Sequence, residues 1–411
     1  MTTENTHKVP NVPPLRFKGY TAEWAHMKVS DLLDFYPTNS LSWEQLDYNV
    51  EDMQNLHYGL IHVGLPTLID LSTNQLPGIK PENMPKHYEL CEEGDVAFAD
   101  ASEDTNEVAK VVELYNLDNK QAVCGLHTIH GRDNHNRTIK GFKGYAMSSR
   151  SFHLQIRRLA QGTKIYSICT KNFAEIDISI PSKEEQERIV SLLYLIDQRI
   201  STQNKIIQHL ESLITGITQS VRDNATQKVL LRDVLTEKDE KNIGNHDVYS
   251  VSVSEGVINQ IDYLGRSFAA KETRNYNVVQ YGDIVYTKSP TGSFPYGIVK
   301  QSYIKEKAAV SPLYGVYKPV SFEVGYYLHH YFTSPIYTTN YLHKLIQKGA
   351  KNTINITNQR FLENYIPLPS SEVLEKYVAL VSAVTTKLEN EKQILSKLKE
   401  QKNYLLSKMF I

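Results

Sequence analysis

Apolar residues recur in the middle of the chain with an unbroken alternation of four and three positions. They are Ile189, Leu193, Ile196, Ile200, Ile207, Leu210, Ile214, Ile217 and Val221, with Gln203 the one polar member of the series. That period is the seam of a helix packed lengthwise against another helix. The period returns at the C-terminal end as Tyr377, Val381, Val384, Leu388, Leu395, Leu398, Leu405 and Met409, with Glu391 and Lys402 as polar members. Pro181 and the Ser182-x-x-Glu185 capping box mark the start of the first helix. Each pattern extends over about 38 residues, or about 57 Å of helix. One such seam describes an ordinary core-facing helix. Two of equal length in one chain predict that they pair with each other. Gln203 and Glu391 lie near the midpoints, so they would meet in either direction, where a buried polar contact costs stability but holds register. The segment between the helices is long enough to be a whole globule, and this favours an antiparallel pair.

The remainder alternates short strand-like runs with Gly, Pro and Asn punctuation, as at Asp95 to Ala99, Asp283 to Lys288, Gly297 to Tyr303 and Leu313 to Lys318. A short helix is predicted over Val324 to Tyr331. These runs come twice. Gly94-Asp95-Val96 returns as Gly282-Asp283-Ile284, and Leu126-His127-Thr128-Ile129 as Leu313-Tyr314-Gly315-Val316. Gly162-Thr163-Lys164 returns as Gly349-Ala350-Lys351, Pro181-Ser182 as Pro369-Ser370, and Val29-Ser30-Asp31-Leu32-Leu33 as Leu231-Arg232-Asp233-Val234-Leu235. The order is preserved at an offset of about 188 residues, or 202 for the Val29 stretch because the first copy is longer in its variable part, so the whole chain is one repeat written twice. The expected fold class is α+β. Two globular domains, residues 1–180 and 223–369, are separated by two long antiparallel coiled-coil helices, residues 181–222 and 370–411, with an internal pseudo-two-fold repeat.

Charge refines this picture. The net charge of −1 does not advertise a nucleic-acid binder, but its distribution is uneven. Residues 39–119 hold sixteen Asp/Glu against three Lys. Residues 125–171 hold nine Lys/Arg against one Asp, and residues 286–360 hold nine against two Glu. Two basic blocks in a neutral chain are either solvated faces or phosphate-facing surfaces. On the second reading the DNA-binding candidates are Lys140, Lys143, Arg150, Arg157, Arg158 and Lys164 in the first block. Those in the second are Lys288, Lys300, Lys305, Lys344, Lys348 and Lys351. Aromatic and small polar residues are interleaved among them, including Phe142, Tyr145, Ser289, Thr291 and Tyr303. The three cysteines are sparse and odd in number, which fits a reducing cytoplasm. The polar stretch Met1 to Pro14 carries no signal-peptide core, and no apolar run reaches membrane-spanning length.

Catalytic signatures are missing. Asn11-Val12-Pro13-Pro14 interrupts the Asn/Asp-Pro-Pro-aromatic loop of an adenine methyltransferase. Gly59 to Gly64 has phosphate-loop spacing but ends in Leu65-Pro66, without the phosphate-binding lysine. Asp95, Asp100, Glu103 and Asp104 lie close together, but no Glu-x-Lys completes a nuclease site. His127, His130 and His135, with Cys124 nearby, have metal-ligand spacing. The repeat replaces His127 and His130 by Tyr314 and Tyr317, and surface positions on a strand explain these histidines without a metal. No metal and no cofactor are expected in this chain. Residues alone leave open a self-contained DNA-modifying enzyme, or a coiled-coil scaffold that binds no DNA.

Globule, long helix, globule, long helix resembles the specificity subunits of type I restriction–modification systems across essentially the whole chain. Ile180 to Leu213 is similar to the family's central segment, including Glu185-Gln186 at the helix start. Pro14-Leu15-Arg16-Phe17, Trp24 and Lys28-Val29 resemble its N-terminus, and the paired Gly-Asp-hydrophobic motif is shared. Val373-Leu374 departs from the Glu-Gln expected in the second copy. The resemblance implies a non-catalytic subunit that binds double-stranded DNA, each globule reading one half of a bipartite, asymmetric site. It implies that the helices set the gap and dock two modification subunits, through which restriction subunits join. Pairing and docking would fall to Ile189, Leu193, Ile196, Ile200, Gln203, Ile207, Leu210, Val381, Val384, Leu388, Glu391, Leu395 and Leu398. S-adenosylmethionine, ATP and Mg²⁺ belong, on this resemblance, to the partner subunits.

Overall fold

The computed structural model describes residues 11–267, 269–348 and 354–411. The chain divides into two compact units, residues 1–204 with 393–411 and residues 205–392. Each unit therefore combines one globule with a segment of each long helix.

The globule of the first unit is built on a five-stranded sheet. Its order is Asp34–Tyr36, Thr128–Arg132, Val96–Ala99, Val111–Asn116 and Leu68–Asp70, antiparallel except for the last pair. A second sheet holds Ala122–Cys124, Gln54–Leu56, Gly78–Ile79 and Leu46–Asp47. An antiparallel ribbon joins Ala25–Lys28 to Asp177–Ile180, the strand that leads into the first long helix.

The second unit repeats the frame in shorter form. Its main sheet runs Leu235–Glu237, Gly315–Pro319, Ile284–Tyr286 and Val299–Gln301. A ribbon joins Gln227–Leu230 to Tyr365–Leu368, the strand that leads into the second long helix. Each unit also has a pair of short helices, Phe142–Met147 with Arg150–Leu159 and Phe322–Tyr331 with Pro335–His343. The second member of each pair is capped by a serine: Ser149 Oγ accepts from Phe152 N and Ser334 Oγ from Tyr337 N.

The repeated Gly-Asp has one physical cause in both units. Gly94 and Gly282 have φ of +94° and +87°, the left-handed region open to glycine. The next residue is a buried aspartate whose carboxylate accepts a backbone N–H three residues back: Asp95 from Glu92 at 2.8 Å and Asp283 from Gln280 at 2.9 Å. Each aspartate also meets a cation. Asp95 accepts from Arg132 and His130, and Asp283 from Lys238 at 2.6 Å.

The long helices span Lys183–Asp223 and Ser371–Lys408. Their seam positions are turned inward. Ile189, Leu193, Ile196, Ile207, Val381, Leu388 and Leu398 are buried, while Ile200, Leu210, Val384 and Leu395 are half-buried. Off the seam, Leu195, Leu213, Leu380 and Ile394 are exposed. In the first unit Asp197 pairs with Lys402 at 2.7 Å, and Ile189, Leu193 and Ile196 share a core with Leu405, Met409 and Phe410. In the second unit Glu211 pairs with Lys392 at 2.8 Å, and Thr218 Oγ1 hydrogen-bonds Tyr377 Oη at 2.9 Å. Rising numbers on one helix face falling numbers on the other, so the segments there run antiparallel. Gln203 and Glu391 are both buried, and Glu391 forms an ion pair with Lys387 one turn earlier.

The expected capping box is only half formed. Ser182 Oγ accepts from Glu185 N, but the Glu185 carboxylate turns to Arg16, taking two hydrogen bonds at 2.6 and 2.7 Å. Two charge-assisted bonds from one guanidinium replace the single bond the carboxylate would accept in the cap, and they tie the N-terminal segment to the helix start. Gln186 is also occupied: its Oε1 accepts from Ile139 N, and its Nε2 donates to the carbonyls of Arg137 and Pro181. Among the described residues no helix is long and apolar enough to cross a membrane.

Candidate nucleic-acid interface

The basic residues of the first block divide by burial. Arg150, Arg157, Arg158 and Lys164 are exposed and have no ion pair among the described residues. Arg150–Leu159 is amphipathic, with Phe152 and Ile156 turned into the core, which leaves the arginines outward. Arg157 and Arg158 lie in its last turn, where cations meet the negative end of the helix dipole. The chain then turns sharply at Gly162, where a Cβ would lie 1.8 Å from the Ile165 carbonyl oxygen, and presents Lys164. Lys140 is exposed but pairs with Glu93 at 2.7 Å and lies 5.3 Å over the Tyr115 ring.

Lys143 requires correction as a DNA-binding candidate. It is 4% exposed, donates to Thr138 Oγ1 and stands 3.7 Å from Glu113. Glu113 is itself fully buried and accepts the backbone N–H groups of Gly141 and Gly144 at 2.6 Å each. Burial raises the carboxyl of Glu113 above its ordinary value, with Lys143 and the two N–H groups opposing. Lys143 thus serves the core as a counterion.

In the second block Lys305 and Lys344 are exposed, and Lys288 is half-buried with its pKa lowered by burial. Lys300 is a second correction. It is 4% exposed, on a strand paired Val285↔Lys300, and burial lowers its pKa. Lys348 ends a short strand, Gln347–Lys348. Gly349, Ala350 and Lys351 lie outside the described residues.

Other exposed features carry little charge. Gly292 and Ser293 form the tip of a turn closed by two backbone hydrogen bonds between Thr291 and Phe294, with exposed Ser289 just before it. In the first unit exposed Trp43 packs at a tilt 4.4 Å from buried His57, which is followed by Tyr58 and His127. His127 adopts φ of +54° and its Nδ1 lies 3.1 Å from Asp100. Neutral, small or aromatic side chains of this kind can meet base edges and faces. Ser289 and Thr291 belong to the small polar residues interleaved in the second basic block, whereas Trp43, His57 and Tyr58 lie in the acidic stretch and carry no charge signal.

His130 is the third correction. It is fully buried in the sheet rather than at a surface position, with Nε2 2.7 Å from Asp95. His135 is exposed.

Residues 119–212 match the family model of the type I restriction modification DNA specificity domain. Over 97% of this chain and 99% of the other, the fold is similar to the crystal structure of the S subunit of a type I restriction–modification system from M. genitalium, with a TM-score of 0.57 at 15% identity. A chain from a structural study of complex assembly and conformational transition of the type I R-M system is similar over 93% of this chain and 96% of its own, with a TM-score of 0.52 at 14% identity. Comparison with curated proteins finds no match. The chain therefore has the fold of type I restriction–modification S subunits and, over residues 119–212, the sequence signature of their DNA specificity domain.

Proposed function

We propose that this protein is the non-catalytic DNA-specificity subunit of a type I restriction–modification complex, acting in the cytoplasm. Each globule reads one half of a bipartite, asymmetric site on double-stranded DNA. The long helices set the gap and dock two modification subunits, which supply S-adenosylmethionine chemistry. Restriction subunits, with ATP and Mg²⁺, join through these.

The observation that carries this reading is the repeated frame. Both units use one sheet order around the same Gly-Asp turn, yet differ in the loops and side chains they expose. Shared scaffolds with different surfaces suit two readers of different sequences. Phosphate contacts from Arg150, Arg157, Arg158, Lys164, Lys305 and Lys344 would position the units, and the neutral loops would discriminate bases.

Two measurements test it. The purified chain with DNA and labelled S-adenosylmethionine should transfer no methyl group until modification subunits are added. Replacing residues 1–155 by the corresponding globule of another such subunit should change one half-site in a genome-wide methylation map. Methylation by the chain alone, or a change in both half-sites, would overturn the proposal.

A further inference from the structure

Cys91, Cys124 and His130 converge in the interior of the first unit. All three are buried, at 5%, 2% and 0% exposure. One donor atom from each lies within 4.8 Å of the others. They come from separate places. Cys124 ends the strand Ala122–Cys124 of the four-stranded sheet, and His130 lies in the strand Thr128–Arg132 of the five-stranded sheet. Cys91 precedes the Gly94-Asp95 turn, its N–H donating to Ala122 O at 2.8 Å. Both thiols are free, with Sγ–Sγ 3.7 Å.

Two details point to a ligand rather than to packing alone. His130 Nε2 is engaged by Asp95, while its other ring nitrogen, Nδ1, is buried without any hydrogen-bond partner. A buried polar atom left bare costs about 1–3 kcal/mol, so it is seldom kept without a use. A carboxylate holding one nitrogen of a histidine is the usual second support of a metal-bound imidazole, because it fixes the tautomer and raises the basicity of the free nitrogen. The sulfur spacing also fits. At a zinc–sulfur bond of about 2.3 Å, two sulfurs on one tetrahedral ion stand about 3.8 Å apart.

We propose that Cys91, Cys124 and the Asp95-supported His130 form a buried binding site for a thiophilic cation of the zinc class. The ion would link the two sheets of the first unit. Two thiolates balance the charge of a divalent ion, and Asp95 is already balanced by Arg132. With all three donors enclosed, no substrate could reach the ion, so its role is structural. This inference is independent of the DNA-specificity reading.

The test uses the full chain, kept reduced, stripped with a chelator and titrated with Zn²⁺ or Co²⁺. One ion per chain is expected, with thiolate-to-cobalt charge-transfer absorption. C91S and C124S should each weaken zinc binding at least tenfold, whereas C169S, at an exposed cysteine, should bind as the parent does. Chelation should lower the melting temperature of the parent and of C169S but leave that of C91S unmoved. His130→Gln risks misfolding through Asp95, so the serine variants carry the decision. The proposal is overturned if the reduced parent binds no more zinc than the C91S/C124S double variant. It is equally overturned if chain isolated with a Cys91–Cys124 disulfide takes up no ion after reduction.

Discussion

Neighbouring lysines and arginines in one basic block differ sharply in burial. Arg157 and Arg158 are exposed on a helix end with no acidic partner among the described residues. Replacing both by alanine should leave stability within about 0.5 kcal/mol, as surface changes usually do. In the assembled complex it should flatten the plot of log affinity against log salt by about one unit for each phosphate no longer neutralised. Lys143→Ala should do the reverse. Removing the buried counterion leaves the Glu113 carboxylate in the core, at a cost of about 3 kcal/mol. Thermal melts should detect that destabilisation, while the salt slope of the surviving folded complex stays unchanged. An unchanged slope for the arginine pair would place those side chains away from DNA.

At the scale of one element, the helix Phe322–Tyr331 carries His329 and His330 in its last turn. A helix C-terminus ordinarily favours a charged histidine. Here burial wins. It pushes His330 down to about 4, assisted by the nearby Lys300 charge, and pushes His329 well below the ordinary histidine range, assisted by His330 and Lys300. His329 Nδ1 accepts from Gln301 N at 3.0 Å, a bond that protonation there would break. The rings of Tyr303, Tyr326 and Tyr377 pack around the pair. Both groups bind protons more tightly in the unfolded chain. Their stabilisation is therefore fully present above pH about 6.5 and is lost as pH falls through that value towards 4. Urea unfolding of the second unit should show a loss of about 2 kcal/mol across that window, after allowance for the ring surface still in solvent. His330→Gln should reduce the pH dependence; an identical profile would show that the histidine is not its source.

For the whole molecule, the ruler proposal makes a geometric demand. The first long helix ends at Asp223 and the next strand begins at Gln227. Four helical residues inserted there add about 6 Å. DNA rises about 3.4 Å per base pair along each strand. Methylation maps of a host carrying the insertion should show both half-sites unchanged and the gap longer by one or two base pairs. A gap that does not move would mean that this linker is slack and that the modification subunits set the spacing.

Seam, repeat and Gly-Asp turn were legible in the residues because each is a local or periodic property. A 3.5-residue period fixes one face of a helix, and a glycine before aspartate permits a turn that other residues resist. Burial of charge was not legible. Nothing near Lys143 or Lys300 distinguishes them from Arg158 or Lys305; the distinction arises from which strands and helices cover them. Arg16 finds Glu185 across 169 positions and takes its carboxylate from the local capping box, because a bidentate ion pair makes two charge-assisted bonds where the cap would make one. Cys91 and Cys124, 33 positions apart, meet His130 only through the registers of two sheets. The residues by themselves determined the two long helices, the strands beside the Gly-Asp turns and their twofold order. Tertiary structure decided which side chains face solvent, because burial is a property of neighbours that the chain brings together only on folding.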